Sequence, residues 1–310
     1  MACKILCIID GATDEHYCIN DTLQKNLRGY FQTTPEGYET ESSTCIFNLL
    51  GVSNIPKNSR AWFEAMGLGI ALNPDDLVVR TSMVHVEDGI ITTLANQSDA
   101  IQLPDYYSLG GYKGVLVFRH AADQFDNIVP FPVHQHMGDK LPEVLGIDQP
   151  LKAQGIYLVP WAPSIKPQLE AFPSKGAVIT GITLIKGMSQ ALGLEIKDNE
   201  SFTGDVDTNL TAKIEETLIL AQQYPFVLLH INGTDEAGHR MDEPQKCAFR
   251  EQVVQAIQTR LMNSEHQVLV TSDHGTSVIT GKHMNIKQPY YTNFESNFKE
   301  KEGIRKWLKQ

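Results

Sequence analysis

Cysteine is scarce in this chain and shows no pairing: Cys3, Cys7, Cys18, Cys45 and Cys247 are five in 310 residues, an odd number with neither a disulfide framework nor a zinc-ribbon spacing. That excludes a disulfide-stapled secreted scaffold and points to a reduced, cytoplasmic setting, with Cys7 packing as a small hydrophobe in the first strand. No apolar run approaches the roughly 18 residues needed to span a bilayer. The N-terminal apolar stretch is too short for a signal sequence and ends in an acid, so no membrane role is expected. Basic residues are outnumbered, 26 against 37 acidic for a net charge of −11, which argues against nucleic acid or an anionic membrane as the main partner. A small anionic substrate is not excluded, because divalent cations held locally outweigh a diffuse negative surface. Repeats and low-complexity tracts are missing too, and the length suits two domains or one domain carrying an insertion.

What is present is a set of apolar runs that each end in an acid or an imidazole. FVLLHI (226–231) reads as a strand buried on both faces, stopped by Asn232 and Gly233 and followed by Asp235 and His239. Four residues is about one helical turn, so those two side chains can point the same way. The run at 267–271 leads into Asp273 and His274, and KILCII (4–9) runs into Asp10 and Gly11. Any one of these is explained as turn or N-cap chemistry. Together, with His283 just beyond, they suggest one pocket at the carboxyl ends of parallel strands, where ligand sites of open α/β sheets lie. Oxygen and imidazole donors with no thiolate nearby suit Mn²⁺, Mg²⁺ or Zn²⁺, and several carboxylates favour more than one ion. His230, on the strand before the metal-type loop, reads either as a support for a ligand or as a packed strand histidine.

Elsewhere the hydroxyls Ser42, Ser43 and Thr44 precede an apolar, helix-like run. They can be N-caps, or one of them can be a nucleophile at a helix N-terminus, where backbone N–H groups would also steady a phosphate. Helices are expected near 21–27, from Arg60, around Lys186, after TGDVDTN (203–209), over 243–262 as the crossover of a parallel βαβ unit, and over 295–309. Residues 78–165 lack the strand-then-helix rhythm and read as a small α+β piece. The expected fold is therefore α/β: a core of 1–77 and 166–310 built on a mostly parallel sheet flanked by helices, interrupted by an inserted domain over 78–165.

The motifs TDEAGH, TSDHGT, the later KH, the opening IIDG and SSTCIFNLLGV, with AWFEAMGLGIAL before VVR, AVITGITLIKGM and TGDVDTN, resemble the alkaline-phosphatase superfamily. Within it they are most similar to cofactor-independent phosphoglycerate mutases of the archaeal type. The resemblance implies an alkaline-phosphatase-like core with a smaller substrate-capping domain. It implies two divalent ions, with Mn²⁺ favoured over Zn²⁺ or Mg²⁺: one held by Asp10, Ser42, Asp273 and His274, the other by Asp235, His239 and His283. Ser42 falls on the family's nucleophile, which implies phosphoryl transfer through a phosphoserine, an isomerase acting on a small phosphorylated carboxylate in glycolysis. Arg80 and Lys186 match the family's basic positions for substrate, and Arg119, His120, His134 and Lys140 are further basic candidates in the smaller domain. The middle segment with HAADQF and VHQHMGDKLP departs from the family pattern. It motivates one alternative, a phosphotransferase or phosphatase for another phospho- or phosphono-carboxylate; a catalytically idle metal-binding or regulatory protein is the reading from outside enzymology.

Overall fold

The computed structural model describes residues 2–16, 21–96, 102–143, 156–296, 298, 304 and 306–308. Cys18 lies outside them, as does most of the helix expected over 295–309, of which 304 and 306–308 are helical and 295 and 296 are not. The chain divides into two compact units, one of residues 1–55 and 169–310 and one of residues 56–168. Among the described residues no helix is long and apolar enough to cross a membrane.

The larger unit is built on a seven-stranded sheet. Its middle is β1 (Lys4–Ile9), with β10 (Phe226–Ile231) on one side and β11 (Gln267–Thr271) on the other, both parallel to it. Beyond β10 come β8 (Gly176–Ile179) and β9 (Glu195–Lys197), again parallel. Beyond β11 lie β14 (Gln288–Thr292) and β2 (Leu27–Phe31), each antiparallel to its neighbour. Every residue of β10 is buried, and in β1 only Lys4 is not, which is why these runs are apolar without alternation. Ile5, Cys7 and Ile9 join Val227, Leu229, Val268 and Val270 in one core face. That face is closed by α4 (Leu210–Ala221) through Ile214 and Leu220 and by α6 (Glu243–Ala256) through Phe249 and Val253. Both helices start on side-chain caps, Asn209 accepting from the Ala212 N–H and Asp242 from the Gln245 N–H. Helix α6 belongs to the connection that carries the chain from β10 past β1 to β11, as parallel strands require.

Register sets the heights of the strand ends. Ile9 pairs with Ile231 and Ile8 with Thr271, so the chain leaves the three central strands level, at Asp10, Asn232 and Ser272–Asp273. Gly11 makes the exit from β1 possible. Its φ is +62°, and a Cβ there would lie 2.7 Å from the Asp235 Cα and 2.5 Å from Thr276 Oγ1. Gly11→Ala therefore combines a left-handed backbone with a main-chain collision, and is expected to destabilise the protein by about 3 kcal/mol or more. A thermal melt in the presence of a chelator reads this without contribution from bound metal.

The smaller unit is an antiparallel sheet around the long β3 (Leu77–Glu87). Strand β7 (Ile156–Ser164) pairs with it along most of its length. β6 (Lys113–Phe118), which carries β5 (Tyr106–Ser108), pairs with its first half, and β4 (Ile90–Leu94) with its end. The β3–β4 hairpin turns on Asp88 and Gly89, both at positive φ, as the tight Asp-Gly turn demands. Helix α2 (Arg60–Gly67) lays Ala61, Trp62 and Ala65 on Val78, Val115 and Val117. For that reason the division falls at 55/56 and 168/169, whereas the sequence reading put it at 77/78 and 165/166. An amphipathic helical pattern is the same whichever sheet it packs on.

Candidate metal centre

Three strand ends of the larger unit deliver the acids. Asp10 follows β1, and Asp273 with His274 follows β11. After β10 the short α5 (Gly233–His239) begins, with Asn232 as N-cap, so Asp235 is its third residue and not its cap. One turn on, His239 Nε2 lies 3.2 Å from Asp235 Oδ2. A small ribbon of β12 (Gly275–Thr276) and β13 (His283–Met284) pairs Thr276 with His283 and returns that imidazole to the cluster. Ser42 is the first residue of α1 (Ser42–Leu49), whose N-cap is Glu41. The capping roles open to Ser42, Ser43 and Thr44 on sequence are therefore not taken; Thr44 instead donates back to the carbonyls of Glu39 and Glu41.

The ligand atoms of Asp10, Asp273 and His274 lie within 4.8 Å of one another, and so do those of Asp235, His274 and His283. His274 Nε2 is 3.4 Å from Asp10 Oδ1, 3.4 Å from Asp273 Oδ2 and 3.2 Å from Ser42 Oγ. His283 Nε2 is 3.6 Å from Asp235 Oδ1 and 3.1 Å from His239 Nε2. The seven side chains expected to meet, Asp10, Ser42, Asp235, His239, Asp273, His274 and His283, thus form one continuous cluster.

These residues fit a divalent cation, on two observations. Asp10 Oδ1 and Asp273 Oδ2 are buried with no hydrogen-bond partner, a costly arrangement unless a cation faces them. All three imidazoles also direct Nδ1 at a backbone carbonyl: His239 at Gly281, 2.7 Å, His283 at Thr40, 2.8 Å, and His274 at Gly275, 3.2 Å. A ring that donates from Nδ1 presents an unprotonated Nε2, which is how metal-binding histidines are held. The Nε2 atoms of His239 and His283 stand 3.1 Å apart, so a cation that displaces the proton His239 shares with Asp235 gains two nitrogen ligands at once.

Charge tells the same story. Burial, and then the nearby carboxylates of Asp273 and Asp235, hold the Asp10 carboxyl well above its ordinary range. For Asp235 burial is outweighed by the hydrogen bond from His239 and the surrounding imidazoles, and the carboxyl sits below the usual range. His239 is raised to about 9, chiefly by its bond to Asp235, and burial lowers His283.

Several supports of the cluster carry no sequence signal. Thr276 Oγ1 donates to Asp235 Oδ1 at 2.5 Å, the Thr234 hydroxyl donates to the Asp10 carbonyl, and the Gly11 N–H reaches Asp273 Oδ1 at 3.3 Å. Below them Lys246 Nζ, buried, donates to the carbonyls of Thr276 and Thr13, and Arg250 pairs with Asp14 at 2.9 Å. Lone threonines and a helical Lys and Arg look like surface residues in a sequence, and only α6 lying under the loops reveals otherwise.

The basic residues expected at the substrate belong to both units. Lys186, on α3 (Thr183–Ala191) of the larger unit, binds both oxygens of Asp198 at 2.8 Å and lines an open hollow with Asn199, Glu200 and Phe202. The others belong to the smaller unit. Arg80 pairs with Glu64 at 3.0 Å and stacks on Trp161. Arg119 spends its guanidinium on Asp76, Asp105 and the Ala71 carbonyl, and His120 pairs with Asp75; both knit their own unit. His134 Nε2 meets the Tyr112 hydroxyl at 3.1 Å.

Comparison with known proteins gives a consistent picture. The family of 2,3-bisphosphoglycerate-independent phosphoglycerate mutases matches residues 24–106, a stretch that includes Ser42 and Arg80. A protein of Methanothermobacter thermautotrophicus named 2,3-bisphosphoglycerate-independent phosphoglycerate mutase 2 is 25% identical over 309 residues, covering 83% of this chain and 76% of the relative. Among solved structures, the PH0037 protein of Pyrococcus horikoshii matches with a TM-score of 0.73 at 20% identity, over 94% of this chain and 87% of that one. The cofactor-independent phosphoglycerate mutase of Thermoplasma acidophilum matches with a TM-score of 0.56 at 19% identity, over 94% and 89%. At those identities the two structures speak for the fold.

Proposed function

We propose that the chain is a phosphoglycerate-mutase-like member of the alkaline-phosphatase superfamily and, within it, a phosphomutase interconverting 2- and 3-phosphoglycerate through phosphoryl transfer to and from Ser42. One observation carries the reading: a serine hydroxyl at a helix start stands 3.2 Å from the shared imidazole of a carboxylate and histidine cluster. We assign one ion to Asp10, Ser42, Asp273 and His274 and a second to Asp235, His239 and His283, with Mn²⁺ as the preferred metal. Divalent cations there would lower the pKa of a coordinated hydroxyl and neutralise charge on a phosphoryl group.

The protein's own part follows from its geometry. Ser42 supplies the accepting oxygen, and the start of α1 adds the positive end of a helix dipole for the phosphate. The acids stay fixed because backbone and threonine groups bind them from behind. Arg80 and Lys186 are assigned to the anionic groups of the substrate, with His134 in a supporting role, and the smaller unit to capping. A mutase must also keep water from the phosphoserine until the group moves to the other hydroxyl. A cytoplasmic, glycolytic setting goes with this reading. An enolase-coupled assay with Mn²⁺ tests it: interconversion of the two phosphoglycerates is expected, and release of inorganic phosphate without interconversion would overturn it.

Metal uptake is expected to depend on pH with a known sign. In the metal-free protein His239 keeps its proton up to about 9, and the ligand form is the neutral ring. Each ion taken up there must displace that proton, so apparent Mn²⁺ affinity rises with pH, by about tenfold per unit below 9 for one proton released. Titrations at pH 6, 7 and 8 measure the slope.

A further inference from the structure

The side of Asp10 turned away from the cluster is organised as carefully as the side turned toward it. Strand β10 lies between β1 and β8, and its His230, in register with Ile8, reaches both neighbours. His230 Nε2 is 3.0 Å from Asp10 Oδ2, and His230 Nδ1 is 3.0 Å from Thr180 Oγ1 at the end of β8. The Ile182 N–H in turn donates to Thr180 Oγ1 at 3.1 Å. Asp10, His230 and Thr180 are all fully buried.

The donor and acceptor inventory leaves this chain one consistent direction. As a cation ligand Asp10 is an ionised carboxylate, which only accepts, so the hydrogen between His230 and Asp10 sits on Nε2. Nδ1 is then the ring's acceptor and needs a donor, which is the Thr180 hydroxyl. The bond from Ile182 uses a lone pair of that oxygen and leaves its one hydrogen to donate to Nδ1. Oδ2 of Asp10 is thereby committed to His230, and Oδ1 is left as the oxygen without a hydrogen-bond partner, 3.4 Å from His274 Nε2.

We propose that Thr180 and His230 are positioning residues that hold Asp10 as a one-oxygen cation ligand, fixing which oxygen faces the metal and preventing the carboxyl from rotating. The proposal rests on the cation reading given above. Neither residue touches the ion or the substrate; each acts through Asp10. Thr180 closes β8 and the Ile182 N–H is the last group before α3, so the same chain ties the start of that helix to the metal ligand. A histidine within a strand with no free face is costly unless both ring nitrogens are satisfied, and here both are.

The test is Mn²⁺ affinity, read from the electron paramagnetic resonance signal of the free ion, for wild type, His230→Leu, His230→Gln and Thr180→Val. Leucine removes the donor to Oδ2 and should weaken Mn²⁺ binding about 10- to 100-fold, the usual cost of losing such a partner. Valine at 180 keeps the shape but removes the hydroxyl that sets the ring's tautomer, and should weaken binding in the same direction by less. Glutamine places an amide N–H near the position of Nε2 and should restore affinity to within about threefold of wild type. Melts of the chelated proteins separate this from general damage: the loss of affinity should not follow the order of the melting temperatures. Wild-type affinity in His230→Leu, or equal weakening in the leucine and glutamine variants, overturns the proposal. If the leucine variant does not fold, Thr180→Val decides against His230→Gln: weakened valine with intact glutamine supports it, and a valine variant equal to wild type overturns it. The readout is binding and not turnover, so a failure to interconvert phosphoglycerates would count against the proposed function alone.

Discussion

Ser42→Ala is expected to lower kcat for phosphoryl transfer by about 10³-fold or more, the scale on which removing a nucleophile acts, while the chelated protein melts where chelated wild type does. Ser42 Oγ lies 3.2 Å from His274 Nε2, at the point where both groups of ligand atoms share a residue. Of the other two candidate hydroxyls, Ser43 and Thr44, the second is committed elsewhere: Thr44 Oγ1 donates to the carbonyls of Glu39 and Glu41 at 3.2 Å. Thr44→Ala should therefore leave turnover within about a factor of two of wild type, a change of a few tenths of a kcal/mol. Ser42 is half-buried and caps nothing, so its truncation is expected to change stability by no more than about 0.5 kcal/mol. A steady-state assay of the two variants, with melts of the same preparations, measures both halves. Loss of activity in Thr44→Ala and not in Ser42→Ala would move the nucleophile.

Asp10→Asn should change sign with metal. In the chelated wild type the Asp10 carboxylate is buried among Asp273 and Asp235, and its carboxyl is held above the ordinary 3.8. A native pKa above the unfolded one means that the folded state binds more protons between the two. Stability from this group is thus complete below pH 3.8 and is lost as pH rises through the folded value. Asparagine removes that charge, can still accept from His230 Nε2, and offers an N–H toward the unpartnered Asp273 Oδ2. The chelated variant should therefore melt higher than chelated wild type at neutral pH, by roughly a few degrees, and lose the acid-favoured slope. With Mn²⁺ added the order should reverse, because a neutral amide is a poor ligand for a hard cation, and activity should fall by about two orders of magnitude or more. Differential scanning calorimetry with and without chelator decides it. A variant less stable than wild type in both states would mean that Asp10 is a structural acid.

The site was more legible in the sequence than its supports. Acids and imidazoles at the ends of apolar runs announce themselves because a parallel sheet places strand ends on one edge, and the register of Ile9 with Ile231 and Ile8 with Thr271 brings them level. The supports come from side chains whose partners lie on other strands. Thr180 and His230 are separated by 50 residues and meet because β8 and β10 are adjacent. Thr276 reaches Asp235 across the exits of two strands. No local pattern encodes those pairings. The smaller unit was the least legible. Arg119 and His120 read as substrate cations in a sequence, yet Asp76, Asp105 and Asp75 lie against them once the sheet forms. The break before α2 was hidden because Trp62 and Ala65 are apolar at helical spacing whichever surface receives them.

The most direct measurement is the site of phosphorylation after acid quench. Mn²⁺-loaded protein mixed briefly with 3-phosphoglycerate, denatured, digested and mapped by mass spectrometry should carry one phosphoryl group on the peptide containing Ser42, with the modification localised to that residue and lost from the chelated sample. Turnover of phosphoglycerate with the label on another side chain, or with none on Ser42 under conditions that trap the intermediate, would contradict the account.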